Sequence, residues 1–218
     1  MVQVKGFVFN GMKVNSYVLW NEAGDCVLID IGCNSSAERE SFLGFMRGNG
    51  LIPGALLLTH GHFDHIMGAQ FVCDTYPVES WIHSEDRQNV ADSVSLSGIY
   101  GLSMEDPQFV PGRLLRDGDE IIQGSLRLRV LHTPGHTPGS VCFYEPRERI
   151  LFSGDTLIRG SLGFSNDGYR NLLLCLKEKI LPLPRDMRIF CGHGDPTTLE
   201  EEMQCNPFFR LLTKENFH

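Results

Sequence analysis

The stretch THGHFDH, residues 59–65, places three histidines and one aspartate within seven positions. It directly follows the apolar run ALLL, residues 55–58, which is typical of a strand buried between two layers. Imidazole nitrogens and carboxylate oxygens are ligands that borderline divalent cations such as zinc prefer. Because these polar groups would be desolvated without a partner at the end of a buried strand, we predict that a cation holds them together. The predicted ligands from this segment are His60, His62, Asp64 and His65.

The same pattern, an apolar run that ends in a polar side chain after a glycine, recurs three times. The segments are LRLRVLHTPGH (126–136), RILFSGD (149–155) and RIFCGH (188–193). They add His136, Asp155 and His193 as candidate ligands, since a glycine lets the backbone bend close to a ligand. Two cations with three private ligands each and one shared carboxylate need seven ligands. The pattern therefore predicts a two-metal site with ions about 3.5–4 Å apart.

The remaining histidines do not belong to such a cluster. They are His83, His132 and His218, and we interpret them as ordinary hydrogen-bonded polar residues.

Composition excludes several classes of function. The chain has 218 residues, is 42% hydrophobic and carries a formal net charge of −8. A diffuse excess of acidic residues disfavours binding to nucleic acid or to an anionic membrane. The seven cysteines are odd in number and contain no C-x-x-C pair, so we expect no disulfide framework and a cytoplasmic location. The sequence contains no apolar run of about 18 residues, so no membrane span is predicted. No leader is recognised at the start of the sequence.

Local patterns predict alternating strands and helices in one layered α/β domain that covers residues 1–218. Residues 35–47 are expected to form a helix with Ser35 or Ser36 as its N-cap. A short helix is expected to begin with Asp64 as its N-cap, and the last helix near Thr198, which has the capping-box spacing to Glu201. The irregular stretch 98–112 carries Tyr100, Met104 and Phe109, which either wall a pocket or pack in the core, the second reading being slightly favoured.

Taken together, these motifs resemble the metallo-β-lactamase superfamily. Its H-x-H-x-D-H signature corresponds to residues 60–65, and its later ligands correspond to the segments HTPGHTPGS, LFSGDTL and CGHGDPTT. The resemblance implies a four-layer αββα sandwich of two mixed β-sheets. It also implies that His60, His62 and His136 hold one metal ion, that Asp64, His65 and His193 hold a second, and that Asp155 bridges the two.

Several segments are similar to the short glyoxalase II-like hydrolases, among them HTPGHTPGSVCFY and GHGDPTTLEEEMQCNPFF. The C-terminal helical domain of full glyoxalase II is not expected, because the sequence ends soon after His193. The family often continues with an Arg-Thr-Asp segment where this chain has Phe164-Ser165-Asn166. Arg159 is a candidate contact for an anionic substrate, or alternatively an exposed surface charge, and Tyr169 is a second candidate substrate contact.

The resemblance implies a metal-dependent hydrolase that uses a hydroxide bridging two metal ions, with a small glutathione-type thioester as the first choice of substrate and an ester as the alternative. Asp64 and Asp155 are its expected catalytic residues, and zinc is the first choice of metal, with iron and manganese as alternatives. A second hypothesis is a persulfide dioxygenase with one iron. A third is a non-catalytic metal-binding module, although structural zinc sites are usually closed and rich in cysteine. No signal in the sequence predicts an oligomeric state.

Overall fold

The computed structural model describes residues 1–166 and 168–212, so the predicted role of His218 lies outside the described residues. Within them, the first of two six-stranded sheets has strands in the order of the sequence. Its first three strands pair antiparallel, and its strands from the third to the sixth pair parallel. The strands are β1 (Val2–Phe9), β2 (Val14–Asn21), β3 (Cys26–Ile29), β4 (Leu56–Leu57), β5 (Ser80–His83) and β6 (Arg113–Leu115).

The second sheet contains the later strands of the chain and is also mixed, with one parallel pair among antiparallel neighbours. Its strands are β7 (Glu120–Gln123), β8 (Leu126–His132), β9 (Val141–Glu145), β10 (Ile150–Gly154), β11 (Arg188–Cys191) and β12 (Thr197–Thr198). The α-helices are α1 (Ser36–Gly48), α2 (Phe63–Ile66), α3 (Ala69–Thr75), α4 (Arg87–Ile99), α5 (Arg170–Cys175), α6 (Leu199–Cys205) and α7 (Phe209–Leu212).

Three apolar clusters give the molecule its layers. Side chains of β2 alternate between two of them: Val18 belongs to the cluster that contains Phe42 of α1, and Leu19 to the cluster between the sheets. The third cluster packs Leu151 of β10 against Leu172 of α5. Because successive residues of a strand point to opposite faces, a strand with both faces covered carries apolar side chains at successive positions, as residues 17–20 of β2 do. The order helix, sheet, sheet, helix confirms the predicted αββα sandwich.

Capping side chains define the ends of two helices as predicted. Ser35 caps α1 with a full capping box that includes Glu38, and Thr198 caps α6 by accepting a hydrogen bond from the backbone of Glu201. The predicted cap at Asp64 is wrong. The helix α2 begins at Phe63, with His62 at the N-cap two residues earlier than predicted and no side-chain cap. The carboxylate of Asp64 instead lies 3.2 Å from Nε2 of His193.

Residues 98–112 divide between the two roles considered for them. Met104 and Phe109 are 8% and 7% exposed and belong to the apolar cluster under the first sheet. Tyr100 is 62% exposed and lies at the C-terminal end of α4. The favoured interpretation as core residues therefore holds for Met104 and Phe109 but not for Tyr100.

Backbone hydrogen bonds join the two sheets along one edge. The amide of Val141 in the second sheet donates to the carbonyl of Thr59, which follows β4 of the first sheet, at 2.8 Å. The amide of Asn15 in β2 donates to the carbonyl of Gly192, which follows β11, at 2.7 Å. Side chains at the ends of β4, β10 and β11 are thereby brought to the same edge of the sandwich.

Two further predictions concern the whole described chain. All seven cysteines are described, and each is a free thiol, as expected from their spacing. None of the helices in residues 1–166 and 168–212 combines the length and apolar character that crossing a membrane requires.

Candidate metal centre

The first group of candidate ligands consists of three imidazoles. Nε2 of His60 lies 3.1 Å from Nδ1 of His62, and Nε2 of His136 lies 3.2 and 2.9 Å from these two nitrogens. Ligand nitrogens about 2.0–2.1 Å from one zinc ion are separated by about 2.8–3.4 Å in octahedral or tetrahedral geometry. The three nitrogens are therefore spaced as three corners of one coordination shell.

The tautomers of these imidazoles also suit a cation. Nδ1 of His136 lies 2.7 Å from the carbonyl oxygen of Phe164, which can only accept, so this nitrogen carries the proton. The lone pair of neutral His136 is then on Nε2, the atom that faces the other two rings. Burial and the neighbouring imidazoles lower the pKa of His60 well below its usual range, and burial and His136 lower the pKa of His62 to about 4. Both imidazoles are therefore neutral near pH 7, as metal ligands must be.

The second group combines one carboxylate with two imidazoles. Oδ2 of Asp64 lies 3.2 Å from Nε2 of His193 and 3.8 Å from Nε2 of His65. Asp155 lies between the two groups, with Oδ1 3.5 Å from Nε2 of His65 and Oδ2 3.5 Å from Nε2 of His136. Its Oδ2 is also 3.6 Å from Nε2 of His193. A carboxylate in this position faces both groups at once.

Two buried atoms lack a hydrogen-bond partner here: Nε2 of His65 in the second group and Oδ1 of Asp155 beside it. An unpaired buried polar atom is costly, and two that face each other at 3.5 Å fit ligands directed at a common cation. Burial alone would lower the pKa of His65, but Asp64, Asp30 and Asp155 outweigh it and raise this pKa to about 10. The three carboxylates thus create a negative electrostatic potential at this position, which favours the binding of a divalent cation.

The structure therefore brings together all seven predicted ligands, and their metal binding is a prediction that the experiments below test. Three overlapping groups within this set could each hold an ion. They are His60 with His62 and His136, His60 with His65 and Asp155, and Asp64 with His65 and His193.

Asp30 orients the second group and was missed from the sequence. Its Oδ2 accepts from Nδ1 of His65 at 3.0 Å and from the hydroxyl of Thr59 at 2.6 Å, and its Oδ1 accepts from the amide of Thr59 at 2.7 Å. A carboxylate that holds one ring nitrogen fixes the tautomer and orientation of a histidine ligand. The apolar run CVLI is followed by Asp30, as the run before Asp155 is, but no glycine precedes Asp30, so the pattern was only partly present.

Asp86 supports the first group and was also missed. This fully buried carboxylate accepts from the amides of Gly61 and Gly139, at 2.6 and 2.7 Å, and from the hydroxyl of Thr137 at 2.9 Å. Gly61 separates His60 from His62, and Thr137 follows His136. Asp86 thus ties together the two loops that carry the three imidazoles. No local sequence signal distinguishes it from other acidic residues at the start of a helix.

Glycine is required at two positions beside the ligands. Gly154 has a φ of +48°, and a Cβ there would lie 2.4 Å from Oγ1 of Thr59. A Cβ on Gly192 would lie 2.2 Å from Oδ1 of Asp155 and 2.8 Å from Cε1 of His65. The glycines that precede Asp155 and His193 therefore allow the close approach on which this site depends.

A cavity of about 440 Å³ opens above the two groups. Five of the seven predicted ligands line it, and the rest of its lining is given by two asparagines and five apolar or aromatic side chains. The two groups are accordingly accessible to a small molecule from one side, unlike a closed structural metal site.

The two predicted substrate contacts do not line this cavity. Arg159 is 45% exposed and pairs with Glu201, and Oδ2 of Asp195 lies 3.8 Å from its Nη1. The ring of Tyr169 packs against the ring of Phe208 at 4.8 Å. Substrate roles for Arg159 and Tyr169 stay predictions.

A fourth histidine-containing group lies elsewhere and combines His83, Glu85 and His132. The two rings stack with centroids 3.9 Å apart and planes 15° from parallel. Lone pairs in nearly parallel planes do not converge on one ion, and Nε2 of His132 already lies 2.8 Å from the carbonyl oxygen of Pro138. This geometry agrees with the interpretation of both residues as ordinary polar side chains.

Comparison with known proteins identifies the family. Residues 10–193 match the model of the metallo-beta-lactamase superfamily. The hydroxyacylglutathione hydrolase GloC of Haemophilus influenzae is 33% identical, over 89% of this chain and 92% of its own. The crystal structure of the BLEG-1 B3 metallo-beta-lactamase is 34% identical with a TM-score of 0.86, covering 97% of this chain and 100% of its own. TTHA1623, crystallised in a di-iron-bound form, is 34% identical with a TM-score of 0.83, over 94% and 99% of the two chains.

The family match spans most of the chain and includes every residue of the two ligand groups. The structural likeness extends over nearly the full length of both chains in each pair. Sequence, fold and site geometry therefore agree that this chain belongs to the metallo-beta-lactamase superfamily.

Proposed function

We propose that this metallo-hydrolase binds two divalent cations and cleaves a thioester. The observation that carries the proposal is the convergence of seven ligand side chains in two groups, with Asp155 between them, under an open cavity. Two private sets of three ligands and one shared carboxylate match the needs of a two-metal hydrolytic site.

Bound cations in such a site acidify a water molecule and polarise a carbonyl group, so that hydrolysis proceeds near neutral pH. The side chains of the chain itself have simpler roles. His60, His62 and His136 present lone pairs to one position, and Asp155 connects this position to the second one. No serine or cysteine nucleophile is needed, since water serves as the nucleophile.

Asp64 is better suited to holding charge than to removing a proton. Burial alone would raise its pKa, but His65 and the hydrogen bond from His193 lower this pKa to about 2. A carboxylate with so low a pKa is a weak base near pH 7. Asp64 is thus proposed to bind a cation and to orient the attacking water.

Thioester cleavage is favoured over amide cleavage by the absence of an obvious general acid. Outside the two ligand groups, the phenol of Tyr100 is the only acidic side chain among the described residues that line the cavity, and a phenol is a much weaker acid than an imidazolium or a carboxylic acid. A departing thiolate needs little help, because its conjugate acid has a pKa of about 8.5. The likeness to GloC supports the same reaction class.

Zinc is the proposed metal, with iron and manganese as alternatives. The ligand atoms are nitrogen and oxygen, and no thiolate of the described chain takes part in the groups that could hold an ion. Such a set suits all three metals, and affinity alone does not decide occupancy in a cell. The di-iron form of TTHA1623 supports iron as a serious alternative.

The experiment compares wild-type protein with Asp155→Ala, measuring metals per chain by elemental analysis and hydrolysis of an acyl thioester of N-acetylcysteamine. We expect about two metals per chain and turnover in the wild type, and fewer metals with a rate at least about 100-fold lower in the variant. Asp92→Ala, which removes an exposed carboxylate of α4, is the matched control and should behave like the wild type.

Three outcomes would reject the scheme. One is wild-type-like hydrolysis by metal-depleted Asp155→Ala. Another is a wild type that holds one iron per chain and consumes oxygen with glutathione persulfide, which would identify a persulfide dioxygenase. The third is full metal occupancy with no turnover of thioesters, esters, lactones or lactams, which would indicate a non-catalytic metal-binding module.

A further inference from the structure

One wall of the cavity comes from α4. Leu96 and Tyr100 are four residues apart and therefore lie on the same helix face, and both line the cavity. Ser93 on this face donates a hydrogen bond to the carbonyl of Gly61 at 3.0 Å, which fixes the helix against the ligand loop. The ring of Tyr100 packs against Phe63 with centroids 5.5 Å apart, yet the residue is 62% exposed.

A second part of the wall comes from Phe164, which is 70% exposed although its backbone is fixed. Its carbonyl oxygen accepts from His136 at 2.7 Å, and the preceding amide, that of Gly163, donates to the carbonyl of Asp155 at 2.9 Å. The loop is therefore attached to two of the ligands, and its exposed aromatic ring is held at the mouth of the site.

The described walls of the cavity offer no lysine or arginine to pair with an anionic group of a substrate. Arg159, the cation considered from the sequence, pairs with Glu201 outside the lining. A carboxylate placed between the walls would lose hydration without gaining a lysine or arginine partner, whereas an apolar group would cover exposed aromatic surface.

We propose that the substrate carries an uncharged, apolar group next to the carbonyl that is cleaved, and that Tyr100 and Phe164 bind this group. The inference rests on the proposed function and deepens it, since it names the substrate class of the same site. The apolar group belongs either to the acyl part or to the thiol part of the thioester. The two arms of the test distinguish these sources.

The first experiment measures kcat/KM for two matched pairs of thioesters with the metal-loaded protein. One pair keeps N-acetylcysteamine as the thiol and compares a hexanoyl group with a 5-carboxypentanoyl group. The other keeps hexanoyl and compares N-acetylcysteamine with glutathione, which is charged. We expect the uncharged member to be preferred by at least about tenfold in one pair, and that pair identifies the bound part. Equal values or the opposite preference in both pairs would overturn the inference.

Variants then assign the preference to the two rings. Tyr100→Ala and Phe164→Ala should raise KM for the preferred substrate by about tenfold and leave kcat within about twofold, because an apolar wall contacts substrate and transition state alike. Tyr100→Phe should retain the wild-type KM. Ile99→Ala is the control, since Ile99 is 78% exposed beside Tyr100 and does not line the cavity. Wild-type KM values in both alanine variants, with unchanged Tm, would contradict the assignment.

A binding measurement separates this inference from the proposed reaction. Calorimetry compares hexanoate with hexanedioate as ligands of the zinc-loaded protein, with acetate as a reference. Preferential binding of hexanoate that is lost in Tyr100→Ala would support an apolar subsite even if no thioester were cleaved. Equal affinities for hexanoate and hexanedioate in wild type and variant would refute the subsite, whatever the outcome of the thioester assay.

Discussion

Asp86 offers a sharp test of how the three-imidazole group is held. Asp86→Ala removes the acceptor of two buried amides, those of Gly61 and Gly139, and of the hydroxyl of Thr137. A buried donor left without an acceptor costs about 1–3 kcal/mol, so the two amides alone predict a loss of about 2–6 kcal/mol in the free energy of unfolding. This is a large share of the roughly 5–15 kcal/mol typical of a folded domain.

The assay is urea unfolding in the presence of a chelator, so that metal binding does not contribute. Asp92→Ala is the control, because Asp92 is exposed on α4 and accepts only from Gln88 among its described hydrogen bonds. It should stay within about 0.5 kcal/mol of the wild type. Asp86→Asn keeps one acceptor oxygen and should fall between the two.

The same substitution should weaken metal binding at His60, His62 and His136, by about 10–100-fold if Asp86 positions these ligands. Competition with a chromophoric chelator measures this affinity in folded protein. An Asp86→Ala protein with wild-type unfolding free energy and wild-type metal affinity would show that the hydrogen bonds of Asp86 do not organise the site.

Two other predictions concern the second group. The pKa of His65, about 10 when folded, lies above the roughly 6.5 of an unfolded histidine. The contribution of His65 to the stability of metal-free protein is therefore complete below about pH 6.5 and is lost as the pH rises towards 10. The free energy of unfolding, measured in the presence of a chelator, should thus fall between about pH 7 and 9.5 in the wild type. The fall should be smaller in His65→Gln. A flat profile in the wild type would contradict this. Gly192→Ala should reduce metal content, since its Cβ would lie 2.2 Å from Oδ1 of Asp155, whereas Gly44→Ala, with open space around its Cβ, should be stabilising by about 0.5–1 kcal/mol. Wild-type metal content in Gly192→Ala would refute the close-packing argument.

The convergence of the seven candidate ligands was predictable because each segment that carries them is marked by a local signal, an apolar run that ends in a polar residue. The helix start at Ser35 was predictable for a similar reason, since a capping box involves only neighbouring residues. Asp64 was misread as a cap because an aspartate at a helix start fits both roles locally. Only the approach of His193, distant in the sequence, decides between them.

The residues missed from the sequence act over long separations. Asp86 accepts hydrogen bonds from two loops that are 25 and 53 residues away in the chain, and no local pattern encodes such a contact. The place of Tyr100 at the cavity, rather than in the core with Met104, likewise depends on where α4 ends relative to the ligand loops. The roles of Asp86 and Tyr100 follow from which residues lie near them in the folded chain, and residue type alone does not predict them.

The attachment of the two sheets along one edge has a consequence for the order of assembly. Residues 60–65 follow a strand of the first sheet, while Asp155 and His193 follow strands of the second. A partly folded chain with only one sheet complete cannot offer a full ligand set to either ion. If the proposed cations bind, this arrangement predicts that they bind late, after the two sheets have packed together, and that they slow unfolding more than they speed folding.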